Sequence, residues 1–95
     1  MIIILLILKG NLVVSPYVDP HIHLDYVFTA KLEGATNKTG TLFEGIQRWS
    51  ETKSKFTKEN IKYRAKKAIK KEVLAGVQYI RTHVDVTNKN FEALE

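Results

Sequence analysis

With 95 residues the chain has room for one small domain at most, and for only a modest core. A hydrophobic fraction of 44% and a charged fraction of 26% are ordinary for a globular protein and argue against a disordered one. The formal net charge of +5 makes nucleic acid or an acidic membrane surface worth testing as a partner, and the lack of cysteine excludes disulfides, zinc fingers and a thiol nucleophile.

The first element in chain order is Ile2–Leu8, seven apolar residues bounded by the turn signal Lys9-Gly10-Asn11. A membrane span needs about twenty such residues. A signal peptide would show a basic leading region and a small-residue cleavage site, and neither is present. The run is therefore predicted as a buried strand. Leu12–Val14 is a second short apolar run, interrupted by Ser15-Pro16. Tyr17–Leu24 alternates imperfectly and predicts a strand, with Pro20 as its weak point. Thr29–Gly40 is polar and carries Gly34, Asn37 and Gly40, so it predicts a loop.

A helix is expected next. Thr41-Leu42-Phe43-Glu44 has the form of a capping box, and Leu42, Ile46, Trp49 and Lys53 recur at helical spacing. A second helix begins after Thr57, with Glu59 in its first turn and Gly76 just past its end. Ile61, Ala65, Ala68, Ile69, Val73 and Leu74 form its expected apolar face. The basic cluster of Lys58, Lys62, Arg64, Lys66, Lys67, Lys70 and Lys71 lies on the same helix and reads as its solvated side. Val77–Val86 is rich in β-branched and aromatic residues and predicts a strand. Thr87–Glu95 is expected to begin a further helix.

This order is a βαβ unit, which calls for a parallel sheet covered by helices. Both predicted strands turn polar near their C-terminal ends, where α/β folds carry their active sites. On the first, His21 and His23 are two residues apart and should project to one face while Ile22 packs on the other. Two neutral imidazoles side by side suit a divalent metal such as zinc, iron or manganese; a hydrogen-bonded pair serving only packing is the alternative. Asp25 reads either as a carboxylate orienting a ligand imidazole or as a cap for the following loop. Arg81, His83 and Asp85 share one face of the second strand and form either a network beside the site or a buried salt-bridge cluster. Leu42, Phe43 and Trp49, with Tyr26 and Phe28, are candidates for lining an aromatic substrate pocket or for plain core.

Three motifs then carry a resemblance. Val18-Asp19-Pro20-His21-Ile22-His23-Leu24-Asp25 resembles the end of the first barrel strand of the amidohydrolase superfamily. Thr39-Gly40-Thr41-Leu42-Phe43-Glu44-Gly45-Ile46 and Arg81-Thr82-His83-Val84-Asp85-Val86 are similar to its cytosine deaminase branch. The resemblance runs from about Leu12 to the C-terminus. It implies an α/β fold, the N-terminal βαβ portion of a distorted (β/α)₈ TIM barrel, left incomplete here because a whole barrel takes about 250 residues. It implies one partial domain over 1–95, with leading strands in 1–14, a first βαβ unit over 17–86 and the start of the next helix in 87–95.

The implied chemistry is metal-assisted hydrolytic deamination of cytosine or a similar heterocycle, using one divalent ion, iron or zinc. His21 and His23 match two metal ligands, Leu42 matches a residue that contacts the pyrimidine, and His83 and Asp85 match a second-strand motif with no assigned role. The family's remaining ligands and its proton-shuttling carboxylate have no counterpart in these 95 residues, so the chain alone is expected to be inactive. Met1–Leu8 departs from the family's usual upstream segment. The expected partners are a pyrimidine-like small molecule in a full-length relative and further copies of this chain, with no membrane. The expected location is the cytoplasm. Two other readings stand beside this one: a non-catalytic remnant or oligomeric structural fragment, and a nucleic-acid-binding module built on the basic helix. The second lacks aromatic residues interleaved with the basic ones.

Overall fold

The computed structural model describes residues 1–87, 93 and 94. Its elements follow in the order β1 (Tyr17–Ile22), α1 (Leu42–Thr52), a 3₁₀ turn (Lys53–Lys55), α2 (Lys58–Leu74) and β2 (Val77–Thr82). The two strands pair in parallel, so the α/β architecture built on a βαβ unit is as expected. The helix expected over 87–95 falls, apart from 87, 93 and 94, on residues outside the described set.

Both strands are shorter than their apolar patterns, and both helices carry a threonine N-cap. β1 stops at Ile22 rather than Leu24, and β2 at Thr82 rather than Val86. β1 runs through Pro20, but the register shifts between Asp19 and Ile22, the interval that contains this residue without an N–H. Thr41 caps α1 by accepting from the Glu44 N–H at 3.3 Å. The return arm of the capping box lands two residues earlier than expected: the Glu44 carboxylate accepts from both the N–H and the hydroxyl of Thr39, each at 2.6 Å. These bonds from Thr39 lead the set that pulls the Glu44 carboxyl down to about 2. Thr57 caps α2 by accepting from the Asn60 N–H at 3.2 Å.

Gly76 closes α2 and opens β2 without an intervening loop. Its φ of +93° is the left-handed conformation that glycine adopts freely, and a Cβ there would stand 3.3 Å from the Tyr17 ring. The Gly76 carbonyl accepts from the Tyr17 N–H at 3.1 Å, so the turn also starts the strand pairing.

Packing corrects two expectations. The buried face of α2 is not the all-apolar one. Arg64 is 5% exposed beside Ala68, whereas Val73 and Leu74 are 61% and 79% exposed. Arg64 therefore leaves the solvated basic face on which its neighbours stand. Its guanidinium donates to the Asn60 side chain at 2.8 Å and the Val27 carbonyl at 2.7 Å, and lies over the Phe56 ring at 4.6 Å. The second correction is the leading segment. Ile2–Leu8 forms no strand, and its side chains stand largely in solvent, Ile2 at 92%. Leu12–Val14 is likewise unpaired and exposed. A strand needs a neighbour to satisfy its backbone groups, and among the described residues the only sheet is β1–β2. The buried apolar side chains among the described residues are Ala68 and Val77, so α2 meets β2 through a small core.

Candidate active site

The C-terminal ends of β1 and β2 bring three histidines together. His21 and His23 project to one side as their spacing requires, with Nε2 atoms 3.4 Å apart. His83 lies one residue past β2, yet its N–H still donates to the Ile22 carbonyl at 2.7 Å, which places its ring on the same side. That ring stacks on His21 with centroids 4.0 Å apart. Burial first, then the neighbouring His21, Arg81 and His23, hold the His83 imidazole below its ordinary pKa. Among the described residues no three His, Asp or Glu side chains form a group able to hold a metal ion by themselves.

Asp25 is 4% exposed and faces both strand ends. One carboxylate oxygen accepts from the Asp85 N–H at 2.8 Å. The other lies 3.7 Å from His23 Nδ1, and neither of those two atoms has a hydrogen-bond partner. The charge of Asp25 also bears on Arg64, whose guanidinium burial otherwise disfavours.

The shared face expected for Arg81, His83 and Asp85 does not persist, because strand geometry ends at Thr82. His83 joins the histidines and Arg81 stays exposed. Asp85 turns to α1 and the 3₁₀ turn after it, where its carboxylate accepts from the Trp49 indole N–H and from Lys53 Nζ, the latter at 3.3 Å. Thr87 donates to the other oxygen, its N–H at 2.8 Å. Burial alone would raise the Asp85 pKa, but the bonds from Thr87, Trp49 and Lys53 outweigh it and hold this carboxyl well below the usual range. Lys53 reaches Asp85 because it continues the helical row Leu42, Ile46, Trp49.

That row also lines a cavity of about 420 Å³ with Tyr26, Phe28 and Ala30 among its other walls. Leu42 is therefore a pocket residue, whereas Phe43 is 83% exposed and does not line it. Tyr26 links pocket and histidines: its ring stacks on His23 at 4.5 Å and meets Trp49 at 4.6 Å. Burial, then Asp25 and Asp85, raise the Tyr26 pKa, so its phenol stays protonated. Sequence alone placed Arg64 on the solvated basic side of α2 and Lys53 in the helical row of α1, gave neither an inward partner, and did not single out Phe56. The signal for Arg64 was available, since it falls on the α2 face of Ile61 and Ala68.

No family model matches the chain. An N-isopropylammelide isopropyl amidohydrolase from Pseudomonas sp. (strain ADP) is 36% identical over 81 residues, covering 82% of this chain and 20% of that protein. Two crystal structures of 5-methylcytosine deaminase from Klebsiella pneumoniae, liganded with phosphonocytosine and with 5-fluorocytosine, superpose with a TM-score of 0.76 at 51% identity. Each superposition covers 83% of this chain and 19% of the other. The chain thus spans about one fifth of the length of the relatives it matches. By sequence and by fold the chain is amidohydrolase-like, similar to a cytosine deaminase over the part that these matches span.

Proposed function

We propose that this chain is the portion of a metal-dependent hydrolytic deaminase that supplies two metal ligands and one wall of the substrate pocket. The observation that carries the reading is the convergence of His21 and His23 at the end of β1. Two nitrogens bound tetrahedrally to one zinc ion at about 2.1 Å stand roughly 3.4 Å apart, which matches their separation of 3.4 Å. The donor set therefore fits a divalent ion such as iron or zinc, to which each imidazole would present its Nε2 lone pair. Such an ion, when bound, supplies Lewis acidity and activates water for attack on the ring carbon that bears the amino group.

The residues of this chain do the rest of what it contributes. Leu42, Ile46 and Trp49 offer an apolar surface to a flat heterocycle and keep water from its face. Tyr26 sets the edge of that surface against His23. The substrate class is cytosine or a similar nitrogen heterocycle, with ammonia as the leaving group, in keeping with the deaminase relatives and their cytosine-like ligands. Structural zinc has four protein ligands and catalytic zinc three, so two imidazoles leave the shell incomplete and the chain alone turns over no substrate. The relevant domain is the βαβ unit over 17–86, the first part of a (β/α)₈ barrel.

Exposed Ile2–Leu8, Val73 and Leu74, together with the open edges of a two-strand sheet, favour association between copies. No helix among the described residues is long and apolar enough to cross a membrane, and the cytoplasm is the proposed location. A nucleic-acid role for α2 is disfavoured, because Arg64 turns inward and Lys67 and Lys71 lie over the Phe28 ring.

Elemental analysis of the purified chain beside a His21→Ala/His23→Ala variant tests the metal reading. Iron or zinc that disappears in the variant supports it; equal metal content in both refutes it.

A further inference from the structure

We infer that Asp25 is a positioning residue that holds His23 in the tautomer with the proton on Nδ1, keeping Nε2 free as a ligand, and that the same carboxylate locks this imidazole to the end of β2. The inference deepens the metal reading and rests on it for its purpose, though not for its test.

Four observations carry it. Asp25 is 4% exposed in a chain with almost no core, so its carboxylate is held inside for a reason other than general packing. One of its oxygens is committed to the Asp85 N–H at 2.8 Å. The other is buried without a hydrogen-bond partner, and 3.7 Å away His23 Nδ1 is buried in the same condition. At 3.7 Å the two are too far apart for a hydrogen bond. They are nonetheless complementary groups, and leaving both unpaired in the interior is unfavourable. A small rotation of the imidazole closes the gap, as side chains around a site commonly do when a ligand engages.

The other ring nitrogen agrees with this assignment. With the proton on Nδ1, His23 Nε2 is an acceptor, and His21 Nε2 at 3.4 Å is its donor. The coupling to β2 follows from the Asp85 bond. The carboxylate that aims His23 also fixes the backbone of Asp85, whose side chain holds Trp49 on α1 and Lys53 in the 3₁₀ turn that follows it. The buried Arg64 guanidinium stands close enough to this carboxylate to feel its charge.

The substitution Asp25→Asn separates orientation from structure. Its amide oxygen can still accept from the Asp85 N–H, so the link to β2 survives. Its NH₂ group then faces His23 Nδ1, and a donor there demands the opposite tautomer, with the proton on Nε2. The experiment is nitrogen-15 NMR of the histidine side chains in the 95-residue chain, in solution or as a sediment, at a pH where the rings are neutral. Zinc affinity is measured in parallel by competition with a chromogenic chelator. In the natural chain His23 should carry its proton on Nδ1; in Asp25→Asn it should move to Nε2, and zinc affinity should fall by about 10- to 100-fold. A natural chain with the proton on Nε2, or a variant whose tautomer stays unchanged, overturns the inference. A natural chain with the proton on Nδ1 that binds no zinc, and a variant in which it shifts, supports the inference and counts against the metal reading alone.

Discussion

Two regions of this chain invert the usual relation between hydrophobicity and order. Residues 1–14 carry its densest apolar run, yet the run is unpaired and solvent-exposed. Residues 17–86 are more polar, yet Asp25, Thr52 and Arg64 are among their best-buried side chains. The difference lies in partners. The polar groups of the second region have bonds waiting for them across the fold: Asp25 with the Asp85 backbone, Arg64 with Val27, Asp85 with Trp49 and Lys53. Among the described residues the apolar groups of the first have no surface to bury against. Hydrophobic burial is non-directional and needs area, whereas a buried bond needs only one well-placed complement.

This contrast can be broken most forcefully at the turn that builds the second region. Gly76→Val places a β-branched residue at φ +93° with its Cβ against the Tyr17 ring. It should destabilise the chain by about 3 kcal/mol, and chemical denaturation of the variant beside the natural chain measures it. A loss near zero would mean that the β1–β2 pairing does not hold the fold. Asp85→Ala comes next. It removes the acceptor of Trp49 and Lys53, and a drop of about 2 kcal/mol is expected by the same assay.

Acid sharpens the comparison further. The folded pKa of Glu44 lies at about 2, below its ordinary value of 4.5, so this residue contributes stability above pH 4.5 that is lost as pH falls towards 2. Thermal midpoints of the natural chain and of Glu44→Gln should differ at pH 7 and converge by pH 2. Parallel curves throughout would remove Glu44 from the account. The smallest effect belongs to the leading segment. Deleting residues 1–14 should change stability by no more than about 0.5 kcal/mol, while analytical ultracentrifugation should find smaller assemblies than the full chain forms. Unchanged sedimentation would assign self-association to the sheet edges or to α2 instead.

What could be read in advance follows the range of each signal. The caps at Thr41 and Thr57, the left-handed Gly76 and the shared face of His21 and His23 are local, set by spacings of a few residues. They were legible for that reason, as was the βαβ order. Periodicity says which residues of an element share a face, but not where the element stops or what it meets. Asp85 was placed beside His83 on a strand assumed to continue; the strand ends at Thr82, and the next residues go to different partners. Arg64 was grouped with its basic neighbours because composition cannot distinguish a solvated arginine from one bound to a carbonyl 37 positions away. Ile2–Leu8 was predicted as a strand from its own composition, and a strand is a property of two segments.

Trp49 is the sole tryptophan of the chain. Its indole touches Tyr26 and bonds Asp85, while Tyr26 touches His23. Its emission therefore originates at the junction of α1, the β1 end and the β2 end. The protein carries its own optical probe, one residue away from the candidate ligand ring, with no label to introduce. A paramagnetic divalent ion at the histidines would quench that emission through Tyr26 and His23, and unfolding of α1 would shift it to the red, so a single fluorescence spectrum tells ligation from loss of structure.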